Sequence, residues 1–289
     1  MKVIAKVLLF IAVIAAVEHG VAAQTQKGSL RVMSFNIRFD NPGDGVNAWP
    51  NRKQKVADVI RFHKADIVGV QEALVTQLRD LEKLSPDFAW CGVGRSDGKE
   101  GGEFSAILYR KSRFQMIENK TFWLSETPDV PGSKSWDAAI TRIVTWAKLK
   151  DRSTGKTFFA INTHFDHVGQ RSRVESASLI LKKIESIVGK VPFVLTGDFN
   201  VQRENEAYRT LAAGTAAVKI ADAKTVSQNG HFGGDSTWNA FKELEPGRTI
   251  DYIFVRDGVK VFEHGVLSDR WNGLWASDHL PVIAEISIP

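Results

Sequence analysis

Six strand-like runs in this chain carry an acid, a histidine or an amide at one end, where a core would take an apolar side chain. Val191-Pro192-Phe193-Val194-Leu195-Thr196 runs into Gly197-Asp198-Phe199-Asn200. Asp198 and Asn200 alternate, so both side chains can face one cleft. An acceptor-only carboxylate beside an amide that donates and accepts can hold and orient a water. Ser277-Asp278-His279 opens the last apolar run and puts a hard oxygen ligand next to a titratable imidazole. Asp251 lies inside the apolar stretch IDYIFV, where a lone carboxylate is costly to bury unless it is paired or bound. Val68-Gly69-Val70-Gln71-Glu72, Phe35-Asn36 and Ile161-Asn162-Thr163-His164 have the same form. Each piece alone also reads as a plain turn or a surface loop, because Asp, Asn and Gly are turn residues. The signal is their common arrangement. Carboxylate and amide donors without a thiolate point to magnesium, manganese or calcium rather than structural zinc. A metal and a positioned imidazole are what a phosphate ester needs, since they neutralise the charge that repels a nucleophile.

The elements that must position these groups follow from periodicity. Leu30–Ile37, 66–71, Ser105–Tyr109 and 114–124 read as strands, as do 140–150, 156–163, 191–197, 249–255, 259–267 and 280–288. Arg52–His63 repeats apolar residues at helical spacing, as do 76–84, 171–188 and 204–213. Residues 40–50 and 125–137 are rich in Gly, Pro, Asn and Ser and read as loops. Hairpins are as common as strand–helix–strand spacings, which favours an α/β protein with mixed sheets.

The ordered set Asn36, Gln71-Glu72, His164, Gly197-Asp198-Phe199-Asn200, Asp251-Tyr252 and Ser277-Asp278-His279 resembles the endonuclease/exonuclease/phosphatase superfamily, from Leu30 to the C-terminus. The resemblance implies a four-layer α/β sandwich, with two mixed β-sheets packed face to face and helices outside. It implies a metal-dependent hydrolase of phosphate esters. Glu72, Asn36 and Asp278 then correspond to metal-site residues. Asp198 corresponds to the aspartate that orients or deprotonates the attacking water, Asn200 helps to hold the phosphate, and Asp251 orients His279. His164 stands where the DNase-like, sphingomyelinase-like and deadenylase-like branches carry a histidine and apurinic-site endonucleases do not. The resemblance further suggests that Glu103 orients His164; a solvated loop acid is the other reading. Arg142, in ITRIVTW, is either a phosphate contact or a surface-facing strand arginine. FWLSETP at 122–128, with Gly132, Trp136, Arg142, Asn41-Pro42-Gly43-Asp44 and Trp49, resembles secreted bacterial members. The Trp-rich loop reads as packing or as a stacking rim for a substrate.

Composition sets the bounds. Lys2 and Lys6, the apolar run at 7–17 and Val21-Ala22-Ala23 have the order of a secretory signal peptide, expected at residues 1–23, with one catalytic domain over 24–289. The expected location is secreted or periplasmic. The net charge of +5 falls to +4 once two lysines and one glutamate of the leader are removed. That admits an anionic substrate, and no basic stripe argues for tight polynucleotide binding. The one cysteine, Cys91, excludes a disulfide framework and a thiolate zinc site. The expectation is a monomeric hydrolase that uses Mg2+, or Mn2+ or Ca2+, to cleave phosphodiester bonds in nucleic acid or nucleotides, without stable membrane insertion. The alternative is a phosphomonoesterase or phospholipase-like enzyme on sugar, inositol or lipid phosphates. A binding module that had kept the fold without catalysis would be marked by loss of Glu72, Asp198 or His279, and all three are present.

Overall fold

In the computed structural model, which describes residues 28–289, two-residue alternation along the strands sends one set of side chains between two sheets and the other towards flanking helices. The leader expected at 1–23 lies outside the described residues. The chain runs β1 (Leu30–Asn36), α1 (Trp49–Phe62), β2 (Ile67–Ala73), α2 (Val75–Leu84), β3 (Phe88–Cys91), β4 (Phe104–Arg110), β5 (Phe114–Trp123), β6 (Ile143–Asp151) and β7 (Thr157–His164). It continues through α3 (Gln170–Lys183), β8 (Phe193–Asp198), α4 (Glu206–Ala213), β9 (Ile220–Asp222), α5 (Ala223–Val226), β10 (His231–Phe232), β11 (Asp251–Arg256), β12 (Lys260–Val266), the hairpin β13 (Arg270–Trp271) and β14 (Leu274–Trp275), and β15 (Val282–Ser287).

Two large sheets form. One has the order β10-β12-β15-β1-β2-β4-β3 and the other β5-β6-β7-β8-β11-β9. Both are mixed: β1 pairs parallel with β2 and antiparallel with β15, and β8 pairs parallel with β7 and antiparallel with β11. One apolar layer lies between the sheets and includes Leu30, Val32, Ile67, Phe158, Ala160, Val194, Ile253 and Val255. A second joins α3 and α4 to the outer face of the six-stranded sheet through Phe159, Ile161, Leu195, Tyr252 and Phe254. A third joins α1 and α2 to the seven-stranded sheet through Met33, Phe35, Val68 and Val70. This is the four-layer sandwich expected from the sequence. The helix read over 171–188 is α3 followed by one wide turn, Ile184–Val188. The loop read over 40–50 contains a 3-10 turn, Pro42–Asn47, and the start of α1. Cys91 is buried in the layer between the sheets. Among the described residues no helix is long and apolar enough to cross a membrane.

The alternation also delivers the chemistry. Leu30 and Val32 point between the sheets, and the same parity puts Ser34 and Asn36 there. Phe158 and Ala160 lead to Asn162 and His164; Val194 leads to Thr196 and Asp198; Ile253 and Val255 share parity with Asp251. Each strand is therefore apolar at one end of the inter-sheet space and polar at the other. Between the two zones lies a hydrogen-bonded layer. Gln71 Nε2 donates to Asn162 Oδ1 at 2.6 Å, and Asn162 Nδ2 donates to the carbonyls of Val70 and Ala106 at 2.8 and 2.9 Å. Thr196 Oγ1 donates to Asn162 Oδ1 at 3.0 Å. Gly69 is required by this layer, because a Cβ there would collide with Thr196 Oγ1 and lie 2.6 Å from Asn162 Oδ1.

Candidate active site

The polar ends of β1, β2, β7, β8 and β11 and the segment before β15 open into one cleft at the edge of the inter-sheet space. Glu72 reaches it against its strand parity. Val68 and Val70 face the helices, and Glu72 would follow them, but the ladder to β4 shifts register between Val70 and Ala73, and Glu72 takes φ of 62°. That left-handed residue turns the carboxylate into the cleft; a non-glycine residue holds such a conformation where its surroundings enforce it.

Asn36 sits at the centre. Its Nδ2 lies 3.0 Å from Glu72 Oε1, 2.9 Å from Asp198 Oδ2 and 3.5 Å from His279 Nε2. Glu72 Oε2 accepts the Phe39 amide at 3.2 Å, and Asp198 Oδ1 accepts the Asn200 amide at 2.9 Å. His279 Nδ1 donates to Asp251 Oδ2 at 2.9 Å, which aims Nε2 at Asp198, 3.7 Å away. His164 Nε2 lies 3.3 Å from Asp198 Oδ2 and 3.1 Å from Asn200 Nδ2, which also donates to the Phe165 carbonyl. Seven of the eight core expectations thus converge within hydrogen-bonding distance of one another. Asp278 stands slightly apart. Its Oδ1 accepts Ser277 Oγ at 3.2 Å and its Oδ2 faces Arg38 Nε at 3.9 Å.

Burial raises the stakes of every charge. Asp198 is pushed up to about 7, first by burial and then by repulsion from Asp251 across the β8–β11 ladder. Burial alone would disfavour a charged His279, but Asp251 and Asp198 outweigh it and hold the imidazole well above its ordinary value. His164 is held well below its ordinary value by burial, with Arg142 and Arg95 adding to the effect. One histidine is therefore a cation and proton donor, and the other a neutral acceptor.

Glu72, Asp198 and His279 each offer a ligand atom within 4.8 Å of the others. Glu72 and Asp198 supply hard carboxylate oxygens with no thiolate in the group, so they fit a divalent ion of the magnesium–manganese–calcium kind, with His279, when it is a cation, beside the ion rather than on it.

One expectation needs correction, and one alternative reading is removed. Glu103 does not hydrogen-bond His164; it accepts from Arg95 Nη1 at 2.6 Å, since a guanidinium supplies the charge that a half-buried carboxylate needs and a neutral imidazole does not. Glu103, Arg95, Arg142 and His164 line a small cavity behind the cleft. Arg142 is not a surface-facing strand arginine: it is 5% exposed, and its Nε and Nη1 have no hydrogen-bond partner among the described residues. The two tryptophans at this loop differ in burial. Trp123 is buried, with Nε1 donating to the Arg95 carbonyl at 2.7 Å, while Trp136 is half-buried.

Several supports had no sequence signal. Arg52, 1% exposed on α1, donates to the carbonyls of Asn47, Ile37, Arg38, Phe39 and Ala276, and so ties the loop after β1 to the segment before Asp278. Thr237 Oγ1 accepts the amides of Ile250 and Asp251 at 3.0 and 3.2 Å. Asp166 accepts four backbone amides, from Ala139, Ile140, Val168 and Gly169, and organises the loop beside His164.

The sequence model of the Endonuclease/Exonuclease/phosphatase family matches residues 33–279. A solved endonuclease/exonuclease/phosphatase from Bacteroides vulgatus is 42% identical, with a TM-score of 0.86, over 90% of this chain and 99% of that one. The mannosyl-6-phosphatase of Bacteroides thetaiotaomicron is 37% identical, with a TM-score of 0.83, over 90% of this chain and 100% of that one. Nocturnin of Drosophila melanogaster is 23% identical over 81% of this chain, which spans only 41% of that relative's length.

Proposed function

The chain belongs to the endonuclease/exonuclease/phosphatase family, a family of metal-dependent phosphate-ester hydrolases, and from that premise we propose that it hydrolyses phosphate esters by attack of a water activated at Asp198. The observation that carries this reading is the convergence of Glu72, Asp198 and His279 around the Asn36 amide. Of the three residues expected to serve the ion, Glu72 and Asn36 lie in this group and Asp278 stands apart against Arg38, so the ion is proposed to sit at Glu72, with Mg2+ as the expected cofactor. The bound ion supplies charge neutralisation for the phosphoryl oxygens.

The chain's own residues do the rest. Asp198, whose carboxyl burial and Asp251 raise above the ordinary carboxylate range, is placed as the general base, where such help is worth about 10²–10⁴-fold. His279, kept protonated by Asp251, donates from Nε2 to a phosphoryl oxygen or the leaving group. Asn200 and His164 frame the phosphate opposite Asn36. Arg142, behind His164, contributes positive charge to that pocket, and Glu103 holds Arg95 in place.

The ester class is where the relatives weigh most. Residue chemistry placed phosphodiesters first. The likeness to a mannosyl-6-phosphatase at 37% identity over nearly the full chain, set against 23% to nocturnin, supports the alternative of a monoester on a sugar or similar small polyol. The charge also fits: +5 overall with no basic stripe suits a small anion better than a polynucleotide. The leader-like start supports export of the enzyme. One panel separates the classes: mannose 6-phosphate, p-nitrophenyl phosphate, bis-p-nitrophenyl phosphate, an oligonucleotide and sphingomyelin, each with Mg2+. The monoester reading requires the first two to be cleaved at least tenfold faster than the rest; faster cleavage of bis-p-nitrophenyl phosphate or the oligonucleotide would restore the diester.

A further inference from the structure

Arg38 stands where an acid-lined cleft would hold a second cation. Its Nε and Nη2 donate to the two oxygens of Asp44 at 3.1 and 3.2 Å. Its Nη1 lies 3.9 Å from Glu72 Oε2, and its Nε lies 3.9 Å from Asp278 Oδ2. Three carboxylates therefore surround one guanidinium, and two of them were expected to serve a metal. Only Glu72 of the three also belongs to the group with Asp198 and His279. It uses opposite oxygens for the two neighbourhoods: Oε1 accepts Asn36 Nδ2, and Oε2 faces Arg38 and accepts the Phe39 amide.

The guanidinium is held from below. Arg38 has φ of 54°, a left-handed conformation rare for a residue with a side chain. Its amide donates to Asn36 Oδ1 at 3.0 Å, and its carbonyl accepts Arg52 Nη2 at 2.6 Å and Gln77 Nε2 at 2.9 Å. Asp44 is presented by the 3-10 turn, whose Asn41 cap also donates to Asp44 at 3.0 Å. The guanidinium packs over the Phe39 ring at 4.4 Å. Such an array fixes a cation in place; an exposed arginine free to follow a substrate would not need it.

We infer that Arg38 is a resident counter-cation, set between Asp44, Glu72 and Asp278, that limits this site to one divalent ion. Two-metal phosphoesterase sites place their ions about 3.5–4 Å apart, bridged by shared ligands. Here the outer oxygen of the one shared ligand, Glu72, already faces a fixed positive charge that a second divalent ion would have to approach closely. The inference rests on the metal-dependent reading of the cleft, but not on which ester is cleaved.

Metal binding without substrate tests it. The metal-free chain is titrated with Mn2+, read by calorimetry and by electron paramagnetic resonance. The wild type is expected to bind one tight Mn2+ per chain, with the spectrum of an isolated ion. Arg38→Gln is expected to bind two, with the spin coupling of ions a few ångströms apart, and Arg38→Lys to return to one. A coupled pair in the wild type overturns the inference, whether or not the variants fold, and so does a single ion in a folded Arg38→Gln. A chain that binds one Mn2+ but hydrolyses no phosphate ester would defeat the proposed function and leave this assignment standing.

Discussion

Asp251→Asn isolates the charge that makes His279 a proton donor. The carboxylate is 1% exposed and accepts His279 Nδ1 at 2.9 Å, so neither solvent nor salt screens the pair. A hydrogen bond to a charged group contributes about 1.5–3 kcal/mol, and the asparagine keeps the shape while removing the charge. If the imidazolium acts in the transition state, kcat should fall by about 10- to 150-fold, with KM little changed. The pH profile carries a second signature. Asp251 raises both neighbours, so its neutralisation lowers the Asp198 value and the His279 value together. Asp198 must be deprotonated to accept a proton, and His279 must be protonated to donate one. Both limbs of the rate profile should therefore move towards acid. The assay is steady-state hydrolysis of p-nitrophenyl phosphate at saturating Mg2+ from pH 5 to 9, with a circular dichroism melt to show that the variant is folded. A folded variant with wild-type kcat and unmoved limbs would refute the Asp251–His279 reasoning.

Two further predictions concern stability. Gly69→Ala forces a methyl against Thr196 and Asn162 in the polar layer between the sheets. Overpacking of this kind costs about 1–3 kcal/mol, so the melting temperature should drop by several degrees, and an unchanged melt would show that the sheets can separate there. His264 is pushed down to about 3 by burial, with the neighbouring His231 adding to it. The unfolded chain takes up a proton near 6.5 and the folded one does not. This contribution is thus fully present above about 6.5 and is lost as pH falls towards 3, at roughly 1.4 kcal/mol per pH unit. In urea titrations between pH 6 and 4, His264→Gln should show a shallower loss of stability by about that slope; parallel curves would contradict it.

Much of the site was readable because its polar residues interrupt apolar runs of known parity. Asn36, His164, Asp198 and Asp251 point where alternation sends them, and the sandwich follows from the same runs. Glu72 was placed by its neighbours in order, not by parity, because a left-handed residue at a register shift turns it around. The short strands β3, β9, β10, β13 and β14 span two to four residues, too few for a period to show. The bonds of Arg52 and Arg38 are made to backbone carbonyls and to acids brought close only by folding, so residue type carried no hint of them. The Glu103–His164 pairing failed for a related reason: Arg95, eight positions away, competes for the carboxylate. Gln71, Asn162 and Thr196 look like ordinary strand residues until two sheets put them face to face.

The central claim is that a divalent ion and Asp198 act together in this cleft. Wild type and Asp198→Ala are dialysed against EDTA, and hydrolysis of p-nitrophenyl phosphate and bis-p-nitrophenyl phosphate is followed before and after adding Mg2+ or Mn2+. The account predicts no turnover of either ester without metal, recovery of the wild type on addition, and at least a 10²-fold deficit in Asp198→Ala under all conditions. Undiminished hydrolysis in EDTA, or near-wild-type turnover by Asp198→Ala with metal present, would contradict it.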